Sequence, residues 1–560
     1  MGVLWNLLLD LRPIISYGYT PVLVPLRRGK ASARGLQSPH MRSRPILRFL
    51  PICLLLLLLA GSTQFAAADA EGGPLRFKVR VGAGIKGPIS GRLLIFFGPL
   101  QSASEEMTPG FGADTQKTWI AAREVTNAGP ETLIEFSPDE LVFPAPFSTR
   151  PRGDYQVMAL LDLNHDYAYA GGSPGDIRSP VISVPDLDPA HAGTMELVLN
   201  TRIPEPKYNL PPSSEIVDFV SPLLSFFWGR PIHMRAVVVL PPSYSKSDDA
   251  KTTFPTIYWT HGFGDSLAGI ANGAAARVQK KLEDGKYPEM IWVLLDQSCA
   301  GGTHEFADSV NNGPWGQALV TEFVPYIEKT YRTDSKRDSR FLTGHSSGGW
   351  AALWLEVNYP QVFGGSWPTS PDSSDFRNFN GPNLRATPPQ NFYRQPNGKH
   401  WPLVREHGKE TMSLKEYAQQ ERILGDFGGQ MASFEWVFSP RGKDGRPMPL
   451  FDRDTGVIDP DVAKAWESYD IAEVLRKNTD RLRPLLDGRI HLTVGTEDTF
   501  HLDESAHLLE ETAKELNINI QFTFLEGKDH GNLYDGGLDE QIAQEMEAIA
   551  RPKAKAAAAP

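Results

Sequence analysis

The chain has 560 residues, of which 41% are hydrophobic and 22% charged, and a formal net charge of -11. That length allows two domains or more, and the composition supports an ordinary globular core. The acidic balance leaves no basic surplus to release phosphate counterions, which argues against nucleic acid as a partner.

Residues 1–40 show no clear fold pattern. Met41 opens a more readable segment and is a candidate translation start. Arg42, Arg44 and Arg48 form a basic start, Phe49 to Ala60 is an apolar run, and Ala66-Ala67-Ala68 closes it as an A-x-A-like site. This is the layout of a secretory signal peptide over about 41–68. The apolar run falls short of the roughly 20 residues of a membrane span. The expectation is a secreted or periplasmic protein with no stable membrane insertion once the segment is removed. Cys53 lies inside the run, so the mature chain has no cysteine pair. Cys299, in Gln297 to Gly302, reads as a small packed residue rather than a catalytic thiol.

Residues 73–200 read as β-rich. Leu75, Phe77, Val79 and Val81 alternate with polar residues, and Arg92 to Phe97, Tyr155 to Leu163 and Met195 to Leu199 are further strand candidates. Gly87-Pro88, Pro109-Gly110, Pro151-Arg152-Gly153 and Ser173-Pro174-Gly175 punctuate them as turns. A small β-sandwich, loosely immunoglobulin-like, fits this spacing. Asp162-Leu163-Asn164-His165-Asp166 begins like a calcium loop. It lacks the glycine and closing glutamate of an EF-hand, so it reads as a polar hairpin turn. A Pro-rich linker over 201–214 follows.

From about 215 the texture becomes that of an α/β domain. Met234 to Leu240, Phe254 to Thr260 and Met290 to Leu295 are buried strands, and Ala268 to Lys281 and Gly316 to Thr330 are helical. Near-continuous apolar strands alternating with helices predict a mostly parallel sheet covered on both faces. Ligands bind such sheets beyond the carboxyl ends of the strands.

Arg340 to Trp350 carries the strongest signal. An apolar strand end runs into Gly344-His345-Ser346-Ser347-Gly348, and a helix-compatible run follows. This is the layout of a nucleophile elbow, in which a strained turn presents a serine Oγ above the sheet. A register centred on Ser347 would need a small residue two places earlier and finds His345, so Ser346 is the candidate nucleophile. His261-Gly262-Phe263-Gly264 follows an upstream strand and can supply the Phe263 N–H to an oxyanion, with the Ser347 N–H as second donor. Downstream, the strand Arg489 to Val494 runs into Gly495-Thr496-Glu497-Asp498. Asp498 is the candidate acid there, with Glu497 as the alternative. His530 follows the strand Ile520 to Leu525, where a base must sit, while His501 and His507 read as surface or packing residues. The chain order Ser346, Asp498, His530 is that of the α/β-hydrolase triad and unlike those of other serine hydrolase folds.

The chain resembles the Putative esterase family of α/β-hydrolases, which includes esterase D-type, enterochelin esterase-like, feruloyl esterase-like and mycolyltransferase-like proteins. The residues that carry the resemblance are Val237 to Tyr244, Phe254-Pro255 and His261-Gly262. Phe306 to Ser309, Asn312 to Pro314, Glu322 and Pro325-Tyr326 continue it, and Gly344 to Gly349, Ser370-Pro371-Asp372 and Asp529-His530 complete it. The resemblance covers about 215–550. It implies an α/β-hydrolase fold preceded by the small β-sandwich, and carboxylic-ester hydrolysis by Ser346, Asp498 and His530. His261, Gly262, His345, Trp367 and Asp372 are expected to bind substrate. No metal cluster or nucleotide motif appears, so no cofactor is expected. The expected substrate is a small-molecule, glycoside-linked or polysaccharide-linked ester.

One departure from the family is a long insert over 367–486, with helices expected around Leu414 to Leu424 and Val462 to Arg476. A cap over the site is expected of it. Residues 551–560 read as a disordered tail. Acyl transfer to a sugar or lipid alcohol is the alternative within the enzyme class. A binding protein with a silent hydrolase domain is the alternative outside it. Mass spectrometry of the mature protein is expected to place its first residue near Asp69, and an N-terminus well upstream would remove the cleavage assignment.

Overall fold

The computed structural model describes residues 72–101, 107–115, 117–246 and 251–552. These lie within one compact unit, Ser62–Pro560. The expected signal segment, the stretch before it and residues 553–560 of the expected tail fall outside the described residues.

An 8-stranded sheet is the frame of the larger part. Its strands are Ser214–Val220 (β1), His233–Val239 (β2), Thr256–Thr260 (β3), Ile291–Leu295 (β4), Arg340–His345 (β5), Gly365–Thr369 (β6), His491–Gly495 (β7) and Gln521–Leu525 (β8). Their order is β1-β2-β4-β3-β5-β6-β7-β8. β1 and β4 run antiparallel to β2, and every pairing from β4 onward is parallel. All residues of β4 and β6 are buried, whereas none of β8 at the edge is fully buried. Successive residues point to opposite faces. Val237, Ile257, Leu294 and Phe341 therefore join one core with the helix Ala275–Glu283, while Val238, Tyr258, Val293 and Leu342 join another with the run Trp315–Thr330.

Five further helices matter for the site. They are Ser347–Asn358 (α1), Leu414–Leu424 (α2), Gln430–Phe438 (α3), Leu502–Glu515 (α4) and Leu538–Ala550 (α5). α1 is buried along almost its whole length, as its apolar sequence requires. α2 begins with a capping box: Ser413 Oγ accepts the Glu416 N–H, and the Glu416 carboxylate accepts the Ser413 N–H. The single helix expected over Val462 to Arg476 is two, Pro460–Trp466 and Ile471–Lys477. Asp470 restarts the chain between them by accepting the Glu473 N–H. α3 was not expected. Its sequence, QMASFEWVF, is buried on several sides and so lacks the one-sided stripe that marks a surface helix. The insert shares a core with the sheet, since Phe434, Phe438 and Trp466 pack with Trp350, Leu353 and Val494.

The N-terminal residues form a 3-stranded and a 7-stranded sheet. Phe77, Val79, Met195 and Leu197 of the first share a core with Leu93, Ile95, Phe97 and Val157 of the second. The alternate residues of Ile89–Pro99, Leu94 and Phe96, face the other way and pack with Ile423 and Leu424 of α2. Buried Arg92 ties the same faces together, pairing with Glu124 at 2.6 Å and Asp426 at 2.8 Å and donating to the Arg422 carbonyl at 3.0 Å. Burying a guanidinium costs heavily unless it is paired in this way. Both faces of the larger sheet are thus covered, one by its own module and one by the insert.

The close approach of α1 to β3 demands glycine at 348. A Cβ there would lie 2.3 Å from the Thr260 carbonyl oxygen and 2.5 Å from that of His261. Gly348→Ala is expected to destabilise the protein by about 3 kcal/mol. Gly84→Ala, where an added Cβ meets nothing within 4 Å, should stay within about 0.5 kcal/mol. Denaturant unfolding of the two variants checks both values.

Candidate active site

The elbow sits at the carboxyl end of β5. Ser346 has φ 60 and ψ -127, between the last residue of β5 and the first of α1. For a non-glycine residue that conformation costs on the order of 1–3 kcal/mol and survives only when its neighbours over-determine it. They do so here. The Ser346 N–H donates to the Thr369 carbonyl of β6 at 3.1 Å, and the Trp350 N–H donates to the Ser346 carbonyl at 3.0 Å. Thr260 Oγ1 of β3 donates to the Gly348 carbonyl at 2.7 Å.

Asp498 follows β7, and His530 follows β8. His530 Nδ1 lies 2.9 Å from Asp498 Oδ2, and the Asp498 side chain is fully buried. Its other oxygen accepts the Phe500 N–H at 3.0 Å. Burial opposes charge on Asp498, but His530 and these hydrogen bonds outweigh it and hold the carboxyl below its ordinary 3.8. With Nδ1 donating to a carboxylate, Nε2 is the basic nitrogen of the neutral ring. The alternative acid, Glu497, is half-exposed and lies 3.9 Å from Arg405, away from His530. Phe500 meets the His530 ring edge-on at 4.8 Å, and the His345 ring lies 4.3 Å away on another side. Burial, with the repulsion of His530, pushes His345 down to about 3, so it stays neutral. His501 is held by Glu410 at 3.2 Å, and His507 stacks on Phe524.

The loop after β3 comes against the elbow: a Cβ on Gly262 would sit 3.3 Å from Ser346 Cβ. Phe263 follows in that loop, and Ser347 is the first residue of α1, whose N–H has no acceptor within the helix. His261 is not at the surface of the site. It is buried, donates from Nδ1 to the Gly262 carbonyl at 2.7 Å, and accepts the Gln297 N–H at Nε2 at 2.9 Å. It therefore anchors the loop rather than touching substrate. Trp367 is likewise displaced from its expected role. β6 alternation turns it into the core beneath the sheet, where it stacks on His491 and donates to Glu545 at 2.8 Å.

Gly262, His345, Ser346, Asp372 and His530 line one cavity of about 660 Å³. Its wall also includes Pro109, Phe111 and Tyr169 of the N-terminal module, Tyr417, Met431 and Phe434 of the insert, and Phe500. Contributions from residues so distant in sequence carry no local motif, which is why sequence reading missed them. Asp372 lines the cavity beside the candidate nucleophile. Its Oδ2 accepts the Ser347 hydroxyl at 2.6 Å and lies 3.3 Å from Gln430 Nε2. Cys299 is pushed up to about 12 by burial and is no thiolate.

Among the described residues one acidic group has metal-like spacing, Asp162, Asp166 and Asp176, with oxygens within 4.8 Å. Those oxygens close the turn. Asp162 accepts the Asn164 and Tyr167 N–H groups, Asp176 those of Leu163 and Ser173, and Asp166 the Ser173 hydroxyl.

Burial raises Asp372 from 3.8 to about 6. A carboxyl whose folded value exceeds its unfolded one favours the folded state less as pH rises between the two. The penalty is absent below pH 3.8 and complete above about 6, on the order of 2–3 kcal/mol. Asp372→Asn keeps an oxygen acceptor for Ser347, so it should raise the thermal midpoint at pH 8 and leave it nearly unchanged at pH 4. Thermal unfolding at both values checks the sign.

The family model described as Putative esterase matches residues 231–541. Over 136 residues the chain is 26% identical to an endo-1,4-beta-xylanase/feruloyl esterase of Xylanibacter ruminicola, a match covering 23% of this chain and 18% of that protein. It is 22% identical over 141 residues to the uncharacterized protein YbbA of Bacillus subtilis, covering 23% and 53% respectively. The chain thus spans well under two thirds of the length of these curated relatives. A solved ferulic acid esterase structure is 16% identical, with a TM-score of 0.38 over 60% of this chain and 99% of that one. The family match begins just before β2, ends within α5 and takes in the sheet strands β2 to β8, the elbow and the candidate triad; the chain belongs to the Putative esterase family of α/β-hydrolases.

Proposed function

We propose that the protein hydrolyses carboxylic esters through an acyl-enzyme on Ser346. The observation that carries this is the meeting, in one cavity, of a strained elbow serine with a histidine oriented by a buried carboxylate. His530 Nε2 takes the Ser346 proton as Oγ attacks the ester carbonyl. The tetrahedral oxyanion is received by the Phe263 and Ser347 N–H groups, each worth about 3–4 kcal/mol. The alkoxide leaves with the proton from His530. Water then gives a proton to His530, its oxygen attacks the acyl carbon, and collapse returns the proton to Ser346 and releases the acid. Asp498 holds the His530 tautomer and stabilises the imidazolium in both halves.

Supporting a bulky apolar or aromatic substrate group, the wall carries Phe111, Tyr169, Phe263, Tyr417, Phe434 and Phe500 around few polar groups. The insert acts as the cap, since Leu403 and several residues of α2 and α3 line the cavity. The curated relative named as a feruloyl esterase supports including hydroxycinnamoyl esters among the substrates to test. The signal-like segment supports action outside the cytoplasm, on a small-molecule or polysaccharide-linked ester.

On a p-nitrophenyl ester, Ser346→Ala is expected to lose about 10³-fold or more in kcat with unchanged circular dichroism. Equal rates for wild type and variant would end the hydrolase reading in favour of a binding protein with a silent hydrolase domain. An ester panel of acetyl, hydroxycinnamoyl and long-acyl substrates then ranks the acyl group. Ester formation with an added sugar or lipid alcohol would reassign the reaction to acyl transfer.

A further inference from the structure

The loop carrying Phe263 has no regular structure of its own, lying between the end of β3 at Thr260 and a helical turn at Leu267–Gly269. His261 anchors its inner side. Its outer side is held by the N-terminal module, through the short helix Tyr167–Ala170. Three consecutive loop residues meet one tyrosine there. The Tyr169 ring meets Phe263 edge-on with centroids 5.0 Å apart. At Gly264, φ is +82, and an added Cβ would lie 3.2 Å from the Tyr169 carbonyl oxygen. The Asp265 carbonyl accepts the Tyr169 hydroxyl at 2.6 Å.

Tyr169 is itself firmly placed. Asp162 accepts the Tyr167 N–H at 3.0 Å, and the Tyr167 ring packs on Phe96 at 5.2 Å. The acidic turn that begins like a calcium loop is thus the foundation of this helix. Burial and nearby Asp296 hold the Tyr169 phenol well above its ordinary 10, so the hydroxyl remains a donor at any working pH.

We propose that Tyr169 is a positioning residue for the oxyanion loop, and that through it the N-terminal module is part of the catalytic apparatus. The inference rests on ester hydrolysis at Ser346 with the Phe263 N–H as a donor. Such a donor must stay about 2.7–3.1 Å from the developing oxyanion. A loop held on one side alone does not keep that distance. The oxyanion forms in both acylation and deacylation, so loosening the loop slows both while leaving ground-state binding unchanged. A residue that merely walled the cavity would act on KM instead.

The test uses the full chain and compares wild type, Tyr169→Phe, Tyr169→Ala and Ser346→Ala. Readouts are kcat and KM on a p-nitrophenyl ester, the affinity of a boronic acid that forms a tetrahedral adduct on the serine, and inhibition by the product carboxylate. Tyr169→Phe, which keeps the ring and loses only the hydroxyl, is expected to lower kcat about three- to tenfold, and Tyr169→Ala about 10²-fold. For Tyr169→Phe, which leaves the ring in the cavity wall, KM and product inhibition should stay within about twofold, and boronate affinity should fall in proportion to kcat/KM. A raised KM with kcat and boronate affinity intact would overturn the proposal, as would unchanged kinetics in both variants. Should Tyr169→Ala not fold, Tyr169→Phe alone decides. Ester hydrolysis that does not depend on Ser346 is a separate failure, of the function and not of Tyr169.

Discussion

Everything in this molecule is arranged around one sharp turn. Ser346 sits in a backbone conformation that no ordinary side chain prefers, and three strands hold it there. β5 feeds the turn, the Thr369 carbonyl of β6 accepts its N–H, and Thr260 of β3 clasps the Gly348 carbonyl just beyond it. The helix that follows must come within contact of β3, which leaves no space for a Cβ at Gly344 or Gly348. The cost of the strained serine is met by packing that would collapse without it.

Around the turn, three parts of the chain build one cavity. The parallel strands end on one edge of the sheet and present the elbow, the Phe263 loop, Asp498 and His530. The insert supplies residues of α2 and α3 to the cavity wall. The N-terminal module supplies the remaining wall, with its larger sheet fastened to α2 by Leu94, Phe96 and the buried Arg92. Phe111 reaches Phe500, which rests on His530, while Tyr169 reaches Phe263. The module therefore touches the candidate site on both its His530 side and its Phe263 side, a geometry unlike that of a domain swinging on a linker.

The charges in the cavity are set by burial as much as by pairing. Asp498 is held ionised by the His530 imidazole and backbone donors, His345 is kept neutral, and Asp372 is pushed up to about 6 in the same cavity as Ser346. Two carboxyls with separated tendencies near one histidine is a pattern of functional sites. Asp372 is a cavity carboxyl whose charge changes across the mildly acidic range.

The local chemistry was readable from the order of residues alone. Apolar runs of five residues could only be inner strands, Gly-x-Ser-x-Gly after such a run marked the turn, and an acid and a histidine each followed a later strand. Those signals are short-range: each depends on a few adjacent residues whose backbone must bend or whose side chains must be buried. Which residues surround the serine depends instead on how distant segments pack. Trp367 lies on the strand next to the elbow strand and His261 opens the His261-Gly262 motif, yet strand alternation and a buried hydrogen bond turn them away from the cavity. Tyr169, Phe111, Tyr417 and Phe500 carry no motif, because their place comes from packing between segments hundreds of residues apart. α3 was hidden for the same reason, since a helix buried on several sides shows no periodic face. Chemistry was legible where backbone geometry imposes it, and the shape of the substrate's chamber was not, because long-range apolar packing sets it.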